Sequence, residues 1–445
     1  MGLKVPLIRV PPPGPKARAI IALDERYIAT STKTAPVVVK RAEGAVVEDV
    51  DGNLLIDFSS GVSVLNVGHG HPKVLEAIRR QAAHFTHFAG TDYYYEVQAR
   101  LAERLAKKAP GRRPRKVFFT NSGTESTEAA IKLARHNTRR GLFLAFLKAF
   151  HGRSMGSLAL TASKPVHRRG YAPMMPSAVH VPYAYCYRCP YKLTYPSCDL
   201  HCVNIIEDLY FKSVAPPEDV AAVFVEPVQG EGGYIVPPKG WMERLAGVAK
   251  DHGILLVDDE VQAGMGRTGK FLAIEHTKAI PDVITLAKAL GGGLPLGAVV
   301  FNADLDWREA GSHSTTFGGN AVACAASNAT LDGLEEEDVM ANATRLGARM
   351  GKRLAEMAET REVMGDNRGL GLLRATEFVT DARTRRPNPA LRDRIVREAC
   401  RRGLILLPCG ESGIRYIPPL TIRSDLLDAG LGVLEGAIDA SVRAR

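Results

Sequence analysis

Lys288 stands in the run Ala287-Lys288-Ala289-Leu290-Gly291-Gly292-Gly293, downstream of an acidic strand end, Leu255-Leu256-Val257-Asp258-Asp259-Glu260-Val261-Gln262. An amine placed just after an apolar run, against glycines that let a bulky group approach the backbone, is suited to a Schiff base with an aldehyde. A carboxylate at the strand end could hold a pyridine nitrogen protonated, which keeps such a ring an electron sink. Taken alone, the lysine reads as a surface residue after a strand, so the rest of the chain has to decide.

A second element points the same way. Thr120-Asn121-Ser122-Gly123-Thr124-Glu125 lies between the apolar run Val117-Phe118-Phe119 and a helical pattern that begins near Ser126. Gly123 permits close backbone approach, and the amides of Gly123 and Thr124 at a helix start form a phosphate seat; an ordinary helix cap by Ser122 or Thr124 is the plainer alternative. Phe150-His151-Gly152-Arg153 follows the strand near Leu142–Phe146. Its ring could stack on a planar cofactor or sit in the core, and Arg153 offers a fork for a substrate carboxylate or a surface ion pair. Glu226-Pro227-Val228-Gln229-Gly230-Glu231-Gly232-Gly233 follows the strand Ala222–Val225. Its two carboxylates serve either as counterions that release an arginine when a carboxylate substrate arrives or as a solvated acidic turn. Lysine, strand-end carboxylate and phosphate seat together are the needs of pyridoxal phosphate.

Taken in order, Asn-Ser-Gly-Thr-Glu, Phe-His-Gly-Arg, Glu-Pro-Val-Gln-Gly-Glu-Gly-Gly, Asp259-Glu-Val-Gln262-Ala-Gly-Met-Gly-Arg-Thr-Gly, Lys288-Ala-Leu-Gly-Gly-Gly and Thr315-Thr316-Phe317-Gly318-Gly319-Asn320 resemble the class III aminotransferases, which include 4-aminobutyrate and ornithine aminotransferases. The resemblance runs from Asp49-Gly52 through Asn66-Gly68-His69-His71-Pro72 to Arg415-Tyr-Ile-Pro-Pro-Leu-Thr421. It implies an α/β architecture, the fold-type I of pyridoxal 5'-phosphate enzymes, and a homodimer or larger assembly with active sites at the subunit interface. By matching motifs, Lys288 would carry the cofactor and shuttle the proton, Asp259 would pair with the pyridine nitrogen, and Gln262 would lie near the ring hydroxyl. Gly123 and Thr124 would hold the phosphate from one subunit and Thr316 from the other, while Phe150 would stack on the ring. Arg153 and Arg415 would bind substrate carboxylates, with a movable Glu231–Arg415 pair letting the pocket bind or ignore an α-carboxylate. That set favours transfer from an ω-amino acid, 4-aminobutyrate or ornithine, to 2-oxoglutarate. Some relatives on this scaffold instead racemise or epimerise α-amino acids with the same lysine, which is the alternative reading.

The elements that must position these groups are legible in outline. A turn Asp51-Gly52-Asn53 joins two alternating strands within Ala45–Phe58. Short apolar runs at Lys116–Phe119, Leu142–Phe146, Ala222–Val225, Ile254–Val257 and Val283–Leu286 alternate with helical segments such as Ser126–Asn137 and Trp241–His252. That alternation argues for a large domain with a mostly parallel central sheet, whose ligands lie at the strands' carboxyl ends. A long helix over Asp338–Glu359 opens a small α+β unit. The predicted division is 1–60 as an N-terminal segment of the small domain, 61–334 as the large cofactor-binding domain, and 335–445 as the rest of the small domain.

Composition excludes other classes. With 445 residues, 45% of them hydrophobic, the chain can bury a large core. Its net charge of +10 is scattered among 48 acidic residues, so nucleic acid is not the expected partner, although anionic small molecules are steered inward. The start, Met1-Gly2-Leu3-Lys4-Val5-Pro6, lacks a leader pattern and no run suits a membrane span, so the expected location is cytoplasmic. Cys186 and Cys189, with Cys198 and Cys202, mark a Cys-rich insertion over 183–203 that could hold structural zinc, form disulfides or stay as thiols. No metal is assigned to the reaction.

Overall fold

The computed structural model describes residues 5–443; Met1–Lys4, where the leader reading starts, lie outside the described residues. The chain forms two compact units, one from Lys73–Glu337 and one from the two chain ends, up to Pro72 and from Asp338 onward.

Among the described residues, seven strands make the sheet of the first unit, in the order Arg115–Thr120, Gly297–Asn302, Val283–Leu286, Leu255–Asp259, Val220–Val225, Leu142–Phe146 and Ser177–Val181. Neighbours are parallel except at Gly297–Asn302, which runs antiparallel to both its partners. Every residue of Val220–Val225, Val-Ala-Ala-Val-Phe-Val, is buried, as a parallel strand covered on both faces requires. The helix Gly123–Thr138 lays Ala129, Ala130, Leu133 and Ala134 into a core with Phe143, Phe224, Val257, Val283 and Val299. Small residues on that helix let it sit close to the sheet.

Two strands had no counterpart in the sequence reading. Ser177–Val181 is an edge strand with one buried residue, too polar to stand out. Gly297–Asn302 follows the Gly291-Gly292-Gly293 run and starts with a glycine, so its pattern is masked by breakers. Gly297 is required there: a Cβ would fall 2.2 Å from Thr120 Oγ1 on the neighbouring strand.

The unit of the chain ends carries the expected hairpin. Val46–Asp49 pairs with Leu54–Asp57, Gly52 turns with φ +87°, and Asp49 Oδ1 accepts from the amides of Asp51 and Asn53 at 2.9 and 2.8 Å. Leu404–Ile405 adds to this hairpin in parallel, which ties the two chain ends into one unit. A second sheet holds Met364–Leu370, Leu373–Phe378, Gly413–Tyr416 and Leu407–Cys409, flanked by the helices Val339–Glu359 and Pro389–Arg401. Among the described residues no helix is long and apolar enough to cross a membrane.

Both tryptophans, Trp241 and Trp307, belong to the sheet unit and report on its unfolding. Phe224→Ala, which empties a fully buried site between helix and sheet, is expected to cost about 3–5 kcal/mol, read as a shifted urea midpoint of tryptophan fluorescence.

Candidate active site

Five of the six parallel strands of the sheet unit end at Thr120, Phe146, Val225, Asp259 and Leu286, and a residue singled out above lies at or just past each end. Lys288 lies just past Val283–Leu286, half-buried, with φ +47°. A non-glycine residue in the left-handed region costs on the order of 1 kcal/mol and persists where its surroundings impose it. Gly292 and Gly293, at φ +60° and +107°, turn the chain back toward the next strand.

Asp259 closes the Leu255–Asp259 strand and is buried. Its Oδ2 accepts from His151 Nδ1 at 2.7 Å and its Oδ1 from the amide of Val261 at 3.0 Å. Nε2 of His151 has no partner among the described residues, so Asp259 is the ring's polar anchor and fixes the proton on Nδ1. Burial opposes a charge on His151, but the hydrogen bond and charge of Asp259, with Glu226 behind it, prevail and raise its pKa. On either side in sequence, Asp258 and Glu260 are buried too. Burial and then the charges of Glu260 and Asp259 push Asp258 well above the usual carboxylate range. Burial lifts Glu260 to about 8 against the opposing amides of Ala273 and Ile274.

The expected phosphate seat lies at the start of the helix Gly123–Thr138. Ser122 caps the Gly123–Thr138 helix by accepting from the amide of Glu125 at 3.4 Å, which leaves the amides of Gly123 and Thr124 in the open first turn. A Cβ on Gly123 would meet Val261 Cγ1 at 2.8 Å, so the glycine lets the seat press against the residue two beyond Asp259. Thr124 Oγ1 bonds Ser154 Oγ and Ser157 Oγ, each at 2.6 Å, which joins the seat to the loop after Phe150.

Glu226, expected as a counterion or part of a solvated acidic turn, is instead a buried bracket. Its two oxygens accept from the amides of Phe150 at 3.1 Å and Gly230 at 3.0 Å, so one carboxyl sets two loops. Burial lifts it to about 7, partly offset by the charge on His151. Gln262 Oε1 accepts from Tyr234 Oη at 2.7 Å, and a Cβ on Gly230 would lie 2.5 Å from Gln262 Nε2. His151, Tyr234 and Glu226 were within the quoted motifs or beside them, and only their hydrogen bonds mark them out.

At the rim, the Phe150 ring has the Arg153 guanidinium 5.7 Å away and the His167 ring edge-on at 5.6 Å. Glu231 Oε1 pairs with Lys164 Nζ at 2.6 Å. Thr316 is exposed; beside it, Thr315 Oγ1 accepts from Asn121 Nδ2 at 3.3 Å. Arg415 belongs to the other unit, buried on the strand Gly413–Tyr416. Cys186, Cys189, Cys198 and Cys202 are free thiols around a small cavity with Tyr183, Tyr191 and His201. Burial lifts the Cys202 thiol to about 11, and among the described residues no group of three or more His, Cys, Asp or Glu could hold a metal ion.

A helix-start anion seat, a buried carboxylate on the next ridge and a lysine held in a strained turn suit pyridoxal phosphate: its phosphate, its pyridine nitrogen and its aldehyde each find a matching group. Comparison with known proteins agrees. Residues 27–438 match the family model described as Aminotransferase class-III. A protein named Probable 4-aminobutyrate aminotransferase from Bacillus subtilis (strain 168) is 39% identical over 90% of this chain and 92% of its own. A Leucine/methionine racemase from Thermococcus litoralis is 40% identical over 91% of each chain. Among solved structures, an amine transaminase from an uncultivated Pseudomonas species, in its PLP-bound form, superposes with a TM-score of 0.86 at 32% identity, covering 93% of this chain and 98% of that one.

Raised carboxyl pKa values give a pH slope of definite sign. Between its unfolded value near 4.5 and its folded value near 8, Glu260 binds a proton only in the native state, so unfolding free energy falls as pH rises through that window. In Glu260→Gln the slope should flatten by up to about 1.4 kcal/mol per pH unit, measured by urea unfolding at pH steps across the window; an unchanged slope would show the group is not buried as an acid.

Proposed function

The chain belongs to the class III aminotransferases, pyridoxal-phosphate enzymes of fold-type I, and from that premise we propose that it transfers the amino group of an ω-amino acid to 2-oxoglutarate. 4-Aminobutyrate is the first candidate donor and ornithine the second.

When bound, the cofactor supplies an aldehyde that takes the amino group and a ring that accepts electrons. The protein's part is positioning and proton movement. Lys288 Nζ would hold the cofactor until the substrate's amine displaces it, and the freed amine would then take the proton from the substrate carbon and return it at the next position. Asp259, braced by His151, holds positive charge at the ring nitrogen. The amides of Gly123 and Thr124, with Thr316 from a second subunit, bind the phosphate, while Phe150 covers the ring and Gln262 meets its hydroxyl. The strained turn at Lys288 fixes where the amine can reach, which keeps proton return to one face.

The observation that carries the substrate reading is the charge pattern of the rim. Arg153 is exposed and makes no ion pair among the described residues, while Glu231 in the neighbouring loop is held by a lysine. Donor and acceptor differ in the number of carboxylates they bring, so the site needs cations that can be uncovered or cancelled, the roles given to Arg153, Arg415 and Glu231. The 39% identity to the Bacillus protein supports the same donor class. A second reading, racemisation of an α-amino acid, is favoured by the 40% identical Thermococcus racemase. It uses the same lysine and needs no keto acid to leave.

The acting form is proposed as a homodimer in the cytoplasm. Thr316 adjoins Phe317, 60% exposed, whose ring lies 4.9 Å from His87; Phe88, Tyr93 and Tyr94 in the same unit are exposed as well. Aromatic rings left in water at this density suit a subunit interface.

A panel of ω-amines and α-amino acids with 2-oxoglutarate, run beside a chiral assay of single L-amino acids without acceptor, separates the readings. The proposal expects glutamate to form from 4-aminobutyrate or ornithine; loss of optical rotation with no amino transfer would sink it. Lys288→Ala should lose the visible absorbance of the bound cofactor together with turnover. The double variant Tyr94→Asp, Phe317→Asp should sediment as a monomer with at least tenfold weaker cofactor retention; a stable, active monomer would remove Thr316 from the phosphate site.

A further inference from the structure

The loop 315–320 has a buried base at Gly318 and Gly319, while Thr316 and Phe317 stand exposed at its crest. A Cβ on Gly318 would run into the Phe119 carbonyl oxygen, so the base is seated on the strand that leads into the anion seat. On its far side the loop is tied down twice. Tyr95 Oη donates to the Gly319 carbonyl, and Asn320 Nδ2 donates to the Thr86 carbonyl at 2.8 Å.

The near side is held by the helix that forms the seat. Lys132, on Gly123–Thr138, donates from Nζ to the Ser312 carbonyl at 3.3 Å and to His313 Nδ1 at 2.8 Å. Burial, with the charge of Lys132 behind it, pushes His313 down to about 4, so its imidazole is neutral and Nδ1 accepts. Asn121, two residues before that helix, donates from Nδ2 to Thr315 Oγ1 at 3.3 Å. Its direction is set by Glu125 in the first turn, whose Oε2 accepts from Asn121 Nδ2 and from the Asn121 amide, both at 2.8 Å. The two Nδ2 protons are thus divided between the seat's own helix and the neighbour of Thr316.

We propose that Asn121 is a positioning residue that acts across the dimer: through Thr315 it fixes the loop presenting Thr316, so the seat of one subunit orders the phosphate contact lent to the other site. The inference rests on the proposed reading of Thr316 as a phosphate ligand from a second subunit. A hydroxyl on an exposed crest loses conformational freedom when it binds, and holding its neighbour beforehand removes part of that cost. The effect therefore belongs to cofactor binding.

Heterodimers assembled with two different affinity tags isolate one site. The lending subunit carries Lys288→Ala and has no lysine to link the cofactor. The receiving subunit keeps Lys288, and its visible absorbance against added pyridoxal phosphate gives the dissociation constant at that site alone. Thr315→Val in the lender deletes the acceptor and leaves the lender's Asn121–Glu125 contacts in place. It should weaken cofactor binding at the receiver about fivefold, and Asn121→Ala in the lender should do the same. Thr315→Val in the receiver should leave that site within about twofold, because the receiver's loop is lent outward. A merely structural role would weaken the subunit that carries the change. Thr316→Ala in the lender, the direct loss, should cost about tenfold and tests the underlying reading. A receiver unchanged by Thr315→Val in the lender but weakened by Thr316→Ala overturns the role of Asn121 and leaves Thr316 standing, as do equal losses from Thr315→Val in either subunit. Thr316→Ala without effect at the receiver removes both.

Discussion

The hydrogen bond from His151 Nδ1 to Asp259 Oδ2 organises the rest of the site. Three acidic residues in succession, Asp258, Asp259 and Glu260, are buried at one strand end, an arrangement that mutual repulsion and desolvation both oppose. The strand's alternation resolves it. Asp258 and Glu260 point to one face, where burial drives both toward their neutral forms, and Asp259 points to the other, toward an imidazole. His151 in turn is placed by Thr161 Oγ1 on its amide and by the loop that Glu226 braces through Phe150. Phe150, the imidazole and the second rim loop thus share two buried carboxyls as their supports.

Much of this was legible in the sequence where chemistry demands particular residue types. A helix-start phosphate seat needs glycine and a capping hydroxyl, and Ser122 and Gly123 announce it. Lys288, a surface residue when taken alone, gained its reading only from the other motifs in order. What stayed hidden depends on partners far apart in the chain. Nothing local distinguishes His151 from a core histidine, because its meaning comes from a residue 108 positions later. Lys164 is one of many lysines until Glu231 is found beside it. The antiparallel strand Gly297–Asn302 was missed for a related reason: its identity comes from Thr120 and Leu286 on either side, not from its own alternation.

The Cys-rich segment belongs to the support as well. Tyr183, at its start, donates through Oη to the carbonyls of Glu226 and Pro227 at 3.0 and 3.2 Å, and its ring lies 4.7 Å from that of the buried Trp241. Cys202, half-buried and with its thiol pKa lifted by desolvation, behaves as a small apolar side chain and lines one cavity with Tyr183 and Tyr191.

Cofactor chemistry and substrate choice are therefore built to different tolerances. Asp259 and the imidazole that braces it are buried, and the carboxylate is bonded through both oxygens, since a charge displaced by an ångström inside a low-dielectric site loses most of its effect. The rim groups, Arg153, Lys164 and Glu231, keep partial exposure and long side chains. That looseness is functional. Transamination sends two acids of different charge through one pocket in alternation, and a cation locked in a buried pair could serve only one of them. Racemisation sends the same molecule in and out, and would be better served by a fixed clamp. On the proposed reading, the half-exposed Lys164–Glu231 pair at the rim and the buried His151–Asp259 pair at the strand end serve different halves of the task.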